Sequence, residues 1–361
     1  MIKIAAVGDI MPGGILAGVN DGYISQEVLE VLRSADIRVG TLETAIGNEP
    51  NFNEEKMKRK GDVIYAKDED LIKLKQLDIN IVSLANNHFF DLGLNGAKHT
   101  IQILDELGIQ HIGAGNNIQE ASAPVVKVIH DKKVAFLAFC DNENIGWCPW
   151  ATETEPGINP MYDDYVVSEI KKYKQQCNYV VVLCHWGKEH TWVTTPRVYK
   201  KAKKMMKAGS DLILGSHPHR VQPVVNYKDA SVAYSMGNFL FPDRLLTKPR
   251  STYYPKDPID FSSLPVTDGY PYVDCVTYKK WKPLGRVGLV VISELGGKSP
   301  SSSNRLTRES EDGTISFYND KKIDSVLSHR TLLLRYCPYP IMVKMENYSK
   351  VFLRKVGIRK K

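Results

Sequence analysis

"DLILGSHPHRVQP", residues 211–223, runs from an apolar stretch straight into two histidines on either side of a proline. Such a segment is either the polar end of a buried strand or one wall of a metal site. If the backbone stays extended there, side chains at i and i+2 face the same way, which presents His217 and His219 together. Pro218 stiffens the chain between them and keeps a helix from rotating them apart.

Working outward, short apolar runs alternate with helical patterns through the first 240 residues or so, the signature of an α/β fold. Candidate strands are 2–7, 37–42, 79–84, 125–129, 134–139, 179–184, 212–214 and 232–234. Candidate helices are 25–33, 69–76, 96–107, 165–175 and 197–208. The turn "HDKKV" predicts a hairpin, so the sheet is not purely parallel. Beyond Phe241 the stretch "FPDRLLTKPRSTYYPKDPIDFSSLP" is rich in Pro, Tyr and Ser and shows no period; it reads as a long ordered, lid-like loop over about 242–283. A further strand at 287–292 precedes "SELGGKSPSSSNRLTRES", which reads as a flexible surface excursion. The expected organisation is one domain over 1–295, then an excursion and a basic tail over 296–361.

With 361 residues, 43% of them hydrophobic, the chain can bury a sizeable core and is not a disordered one. The opening "MIKIAAVGDI" is too short an apolar run for a secretory signal, and no membrane-spanning stretch is visible; the expected location is cytoplasmic. The six cysteines are scattered without a C-x-x-C pair, against both a zinc ribbon and a disulfide framework. Of the net charge of +7, nearly all lies in 341–361, where seven basic residues face the single acid Glu346. A near-neutral body argues against nucleic acid as a partner. The tail "YSKVFLRKVGIRKK" is either a solvated terminus or a peripheral contact with an anionic membrane, at the inner face.

Five strand ends carry Asp, Glu, Asn or His: Asp9 after the first, Glu43 after the second, "NNHFFD" (Asn86, Asn87, His88, Asp91) after the third, "HWGKEH" (His185, Glu189, His190) after Cys184, and "GSHPH" after Leu214. Singly, each has a structural explanation as a helix cap, a turn residue or a bonded core histidine. Together they converge on the carboxyl edge of an open α/β sheet, where ligands bind. Oxygen and imidazole donors without thiolate suit one or two divalent ions, Mn, Fe or Zn, in a catalytic rather than structural site.

"GDIM", "TLE", "SLANNHFFDLG", "HWGKE", "GSHPHRVQP" and "YSMGNF" follow one another in the order seen in the CapA family of capsule and poly-γ-glutamate synthesis proteins, which this chain resembles over residues 1–241 and which is itself similar to calcineurin-like metallophosphoesterases. The resemblance implies a four-layer α/β/β/α sandwich with a metal centre at the carboxyl ends of the strands. It implies Asp9, Glu43, Asn87, His185, His217 and His219 as metal ligands and His88 as the group that protonates the leaving group; Asp91 is a plausible orienter of His88. Two positions depart from the superfamily: Met11 stands where a histidine two residues after the first aspartate is expected, and Glu43 where the bridging aspartate would be. The first metal site is thereby expected to be weaker, differently populated or empty. Arg220, as a phosphate or carboxylate fork, and Glu189 and Asn238 are candidate substrate contacts. The expected function is a metal-dependent hydrolase of phosphoester or amide bonds in capsule, exopolysaccharide or poly-γ-glutamate biosynthesis, with the polymer or its precursor as substrate. The alternative is a non-catalytic, membrane-docked assembly partner of a polymer synthase.

Overall fold

A computed structural model describes residues 1–48, 62–141, 148–248, 250–269 and 271–336. Its central strands are the near-continuous apolar runs, buried on both faces as parallel strands are. The first sheet contains β1 (Ile2–Ile10), β2 (Ile37–Leu42), β3 (Ile81–Ser83) and β4 (Gln110–Ile112). The second contains β5 (Val125–Ile129), β6 (Lys132–Cys140), β7 (Tyr179–His185), β8 (Leu212–Ser216), β9 (Val224–Asn226) and β10 (Ser231–Ala233). The chain then returns to the first sheet with β11 (Asn238–Leu240), β12 (Val287–Leu295), β13 (Ser301–Glu309) and β14 (Ile315–Phe317). The first sheet has the order β14-β13-β12-β1-β2-β3-β4 and the second β9-β10-β8-β7-β6-β5. β12 runs antiparallel to Ile2–Val7 of β1, and β11 pairs parallel with its far end, opposite Asp9 and Ile10.

The principal helices are α1 (Gln26–Arg33), α2 (Gly93–Glu106), α3 (Asp163–Lys174), α4 (Pro196–Ala208) and α5 (Lys321–Tyr336). Side-chain alternation along the second sheet separates the layers. Val181 and Leu183 of β7, Leu212 and Leu214 of β8 join a core shared with the first sheet. Val180, Val182 and Ile213 point the other way, onto Val166 and Ile170 of α3 and Ala202 and Met205 of α4. Val28 and Leu32 of α1 and Ala97 and Leu104 of α2 cover the first sheet. The result is the expected α/β/β/α sandwich. The "HDKKV" turn is a hairpin between β5 and β6, with His130 and Asp131 both in the left-handed region (φ 45° and 60°), as a type I′ turn requires.

Two expectations are corrected. The 242–283 stretch is a four-stranded sheet of its own, built from Arg244–Thr247, Ser251–Tyr253, Val266–Thr267 and Thr277–Lys279, whose strands are too short to show a period. The supposed flexible excursion forms β13, paired over eight residues with β12, so the sheet continues past 295 with no boundary there. The basic tail lies outside the described residues. No helix among the described residues is long and apolar enough to cross a membrane.

Candidate metal centre

β1 carries Asp9 into the interior through a register shift: pairing with β2 slips between Ala6 and Asp9, and pairing with β11 slips between Asp9 and Ile10. Bulges of this kind re-aim a side chain. The neighbouring strand can come this close because residue 8 is glycine; a Cβ there would lie 1.9 Å from the Gly237 carbonyl oxygen. Asp9 and Glu43, which follows β2, are both fully buried. Burial, and then the Glu43 charge, hold the Asp9 carboxyl well above the usual range.

The second sheet supplies the imidazoles. His185 ends β7, opposite Ser216 of β8. Its Nδ1 lies 3.1 Å from Ser216 Oγ, which itself donates to the Cys184 carbonyl. When that hydroxyl accepts from His185 Nδ1–H, the Nε2 lone pair faces the centre. There it meets Asn87 Oδ1 at 2.7 Å, His217 Nδ1 at 3.0 Å and Glu43 Oε1 at 3.4 Å. His219 is set in the same way: its Nδ1 lies 2.8 Å from Asn238 Oδ1, and Asn238 Nδ2 donates to the Gly285 carbonyl at 2.7 Å, which fixes the amide's orientation. His219 Nε2 is left 3.7 Å from Glu43 Oε1.

Acceptor atoms facing acceptor atoms repel unless a cation lies among them. Two buried groups have that form, Glu43 with His185 and His217, and Asp9 with Glu43 and His219; Glu43 is common to both. His217 Nε2 is buried with no hydrogen-bond partner among the described residues. Burial pushes the pKa of His185 down to about 3 and those of His217 and His219 well below the ordinary value, so all three are neutral, as metal coordination requires. The residues present fit one or two divalent ions.

The opening histidine pair meets in a way other than the extended geometry expected. β8 ends at Ser216, and both histidines have left-handed backbones, φ 90° for His217 and 49° for His219. Non-glycine residues there carry a strain of about 1 kcal/mol or more each. The turn directs the His217 N–H at the Asp9 carboxylate, 3.2 Å away, tying the two sheets together. A second tie runs from Thr41 Oγ1 to Ser216 Oγ at 3.1 Å.

Beside the donors, His88 Nδ1 lies 2.7 Å from Asp91 Oδ2, which also accepts the Ile64 N–H at 2.6 Å. Asp91 thus takes the Nδ1 proton and leaves Nε2 as the working atom. Asn86 performs a structural task, accepting from the His88 N–H and donating to the Leu42 carbonyl.

The expected substrate contacts sort differently. Asn238 is buried behind His219 and orients it. Arg220 is buried and donates to the His219 carbonyl at 2.6 Å. Glu189 is partly exposed, 3.9 Å from His190 Nε2. Met11 is fully buried in the core, with its N–H on the Leu240 carbonyl.

Sequence reasoning missed two aromatic rings that wall the site. Phe241 and Trp281 pack edge to face 5.5 Å apart, and each ring lies 5.3 Å from His219. His190 joins them 6.0 Å from His219; burial, then Arg220 and two lysines, push its pKa to about 4. Ser216 was legible as a hydroxyl inside "GSHPH", whereas Trp281 lies forty residues beyond the motifs with no local signal.

The profile of the bacterial capsule synthesis protein PGA_cap matches residues 3–243. A capsule biosynthesis protein CapA from Bacillus anthracis is 33% identical over 248 residues, 66% of this chain and 60% of that one. A PGA biosynthesis protein CapA from Bacillus subtilis is 28% identical over 246 residues, 67% of this chain and 63% of that one. The chain thus spans somewhat under two thirds of the length of these relatives. Among solved structures, the calcineurin-like phosphoesterase YfkN from Bacillus subtilis aligns over 92% of this chain and 97% of that one, at 15% identity and a TM-score of 0.44, too remote to bear on the chemistry.

Proposed function

Because the chain belongs to the bacterial capsule synthesis family PGA_cap, we propose that it is a metal-dependent hydrolase of phosphoester or amide bonds in the biosynthesis of capsule, exopolysaccharide or poly-γ-glutamate. Its substrate is then the cell-surface polymer or a precursor of it. The observation that supports this most is the pairing of two buried donor groups around Glu43 with the His88–Asp91 dyad beside them.

Asp9, Glu43, Asn87, His185, His217 and His219 would hold one or two ions of the Mn, Fe or Zn type. When bound, such ions supply Lewis acidity and bring a water's pKa toward neutrality. The protein's own residues do the remainder. Ser216 and Asn238 hold the His185 and His219 rings in the tautomer that leaves Nε2 bare. Asp91 accepts from His88 Nδ1–H and favours the protonated ring, whose Nε2–H would then pass to the departing oxygen or nitrogen. Trp281, Phe241 and His190 wall His219 off from water, which strengthens every charge interaction inside.

A screen of phosphoesters, γ-glutamyl amides and sugar-phosphate lipids with added Mn, Fe or Zn tests this. Turnover by the wild type that falls about a hundredfold or more in His88→Ala is expected. A protein that carries stoichiometric metal and turns over none of these classes contradicts it.

Met11 favours a second reading, in which the Asp9 side of the centre has degenerated and the chain is a non-catalytic partner of a polymer synthase, docked at the inner membrane face by its tail. Co-sedimentation with anionic vesicles, with and without residues after Tyr348, separates the two. Tail-dependent binding without metal-dependent turnover supports the second reading; turnover without binding excludes it.

A further inference from the structure

The segment 62–66 lies between the small sheet and the His88–Asp91 dyad and is held by both. On one side Val63 bridges in parallel to Ser251, its N–H on the Arg250 carbonyl at 3.2 Å and its own carbonyl accepting the Thr252 N–H at 2.9 Å. On the other, the Ile64 N–H reaches Asp91 Oδ2, the oxygen that also meets His88 Nδ1. Asp62 is thus two residues, about 7 Å of extended chain, from the contact that orients His88.

Asp62 has only one of its oxygens engaged. Oδ2 accepts from Arg244 Nη2 at 3.0 Å, whereas Oδ1 is buried with no hydrogen-bond partner among the described residues. Burial by itself would raise the Asp62 pKa, but the charges of Arg244, Lys279 and His88 outweigh it and hold the carboxyl below its usual range. The group is therefore ionised, and a buried ionised oxygen without a donor is costly until something supplies one. The side chain keeps 10% of its surface exposed, which leaves a ligand a route to it.

The residues around Asp62 join it to the centre. Arg244 and Lys279 stand directly opposite each other in the small sheet and so share a face. The Arg244 guanidinium lies 5.8 Å from the Phe241 ring, and Lys279 Nζ 4.7 Å from the Trp281 ring; these are the two rings that wall His219. Arg244 is itself buried and also donates to Thr252 Oγ1, so the ion pair holds Asp62 Oδ2 in place and leaves Oδ1 for a ligand.

We propose that Asp62 Oδ1 accepts a hydrogen bond from the leaving half of the substrate, supplied by the N–H of a scissile amide or by a hydroxyl beside a departing ester oxygen. The proposal rests on the hydrolase reading above and adds to it a residue that selects the substrate. A fixed acceptor at this place holds the departing atom in one orientation toward His88. A site built to receive a donor also rejects the analogue that lacks it, because its own buried group is then left unpaired.

The test offers the full chain two matched pairs of probes: γ-glutamylglycine against γ-glutamylsarcosine, whose amide nitrogen carries a methyl instead of hydrogen, and hydroxyethyl phosphate against propyl phosphate. Binding is followed by ligand-detected NMR and turnover by product release with added Mn. The proteins are the wild type, Asp62→Asn, and Asp257→Asn as a control at an exposed carboxylate between the same strands. The wild type should prefer the donor-bearing member of one pair by about tenfold or more in affinity and, where it turns over, in kcat/KM; the pair that shows this identifies the source of the donor. Asp62→Asn should narrow the preference to about threefold or less, since Arg244 keeps the amide oxygen and turns the NH2 toward the ligand. Asp257→Asn should retain it, with metal content and circular dichroism unchanged in both variants. Equal treatment of both members of both pairs by the wild type overturns the proposal, and this comparison needs no variant. So do binding of neither pair, a preference that survives in Asp62→Asn, and loss of bound metal in that variant. Discriminating binding without turnover defeats the hydrolase reading and leaves the Asp62 contact standing; turnover indifferent to the donor does the opposite.

Discussion

His88 and Asn238 show how single hydrogen bonds decide what this centre can do. Asp91 accepts both His88 Nδ1–H and the Ile64 N–H, so Asp91→Asn puts an amide where a carboxylate held the tautomer. Turnover should fall about 10- to 100-fold while bound metal stays unchanged; metal analysis beside steady-state kinetics checks the split, and loss of metal would make Asp91 a structural residue. Asn238→Ala frees the His219 ring and should weaken metal affinity about 10- to 100-fold, read by competition with a chelating dye. The donor residues were legible in the sequence because each is a polar group at the end of an apolar run, and five such ends are hard to explain one at a time. Their neighbours were not. Asn238 and Arg220 look like substrate contacts in a motif, but whether a side chain faces the cleft or backs a ligand depends on the strand paired beside it. Trp281 reaches His219 only because the small sheet folds back over the edge.

β1 shows the same lesson in an element. Its apolar run predicted a strand correctly, whereas the two register slips around Asp9 depend on β2 and β11 and leave no periodic trace. Gly8 marks the place, since the Gly237 carbonyl occupies the space a Cβ would need. Gly8→Ala should cost about 1–3 kcal/mol of stability and weaken metal binding, measured by urea unfolding and metal titration; an unperturbed variant would mean that β11 can back away without consequence. β13 escaped sequence reading for a different reason. Six serines and several charges from 293 to 310 resemble a linker, but four of the nine residues of β13 are exposed, and a strand partly in solvent can carry polar residues as long as Leu306 reaches the core. The histidine pair at 217 and 219 was grouped correctly by the wrong geometry: a left-handed turn, rather than strand alternation, brings the rings together.

At the scale of the molecule, two sheets meet along one edge, and the side chains at that edge are suited to a cation more than to each other. Without metal, that arrangement has a definite pH dependence. His185, His217 and His219 have native pKa values below the ordinary 6.5 because burial disfavours the charged ring. Between pH 6.5 and about 4 the unfolded chain takes up protons that the native chain refuses, so stability is present above 6.5 and declines as pH falls. Asp9, Glu309 and Asp211, raised chiefly by burial, have the opposite sign, but they are three groups against five once the lowered His190 and His111 are added. The urea midpoint in chelator should therefore drop from pH 7.5 to pH 5; a midpoint that holds or rises contradicts the burial of neutral imidazoles.

The central claim is that the edge holds metal through Glu43 and the histidines. The direct measurement is the metal content of the purified chain by elemental mass spectrometry, for the wild type and for His217→Ala/His219→Ala, alongside turnover. One to two equivalents of Mn, Fe or Zn in the wild type, with metal and turnover both lost in the double variant, is the predicted result. Full turnover by a double variant that carries no metal would contradict it.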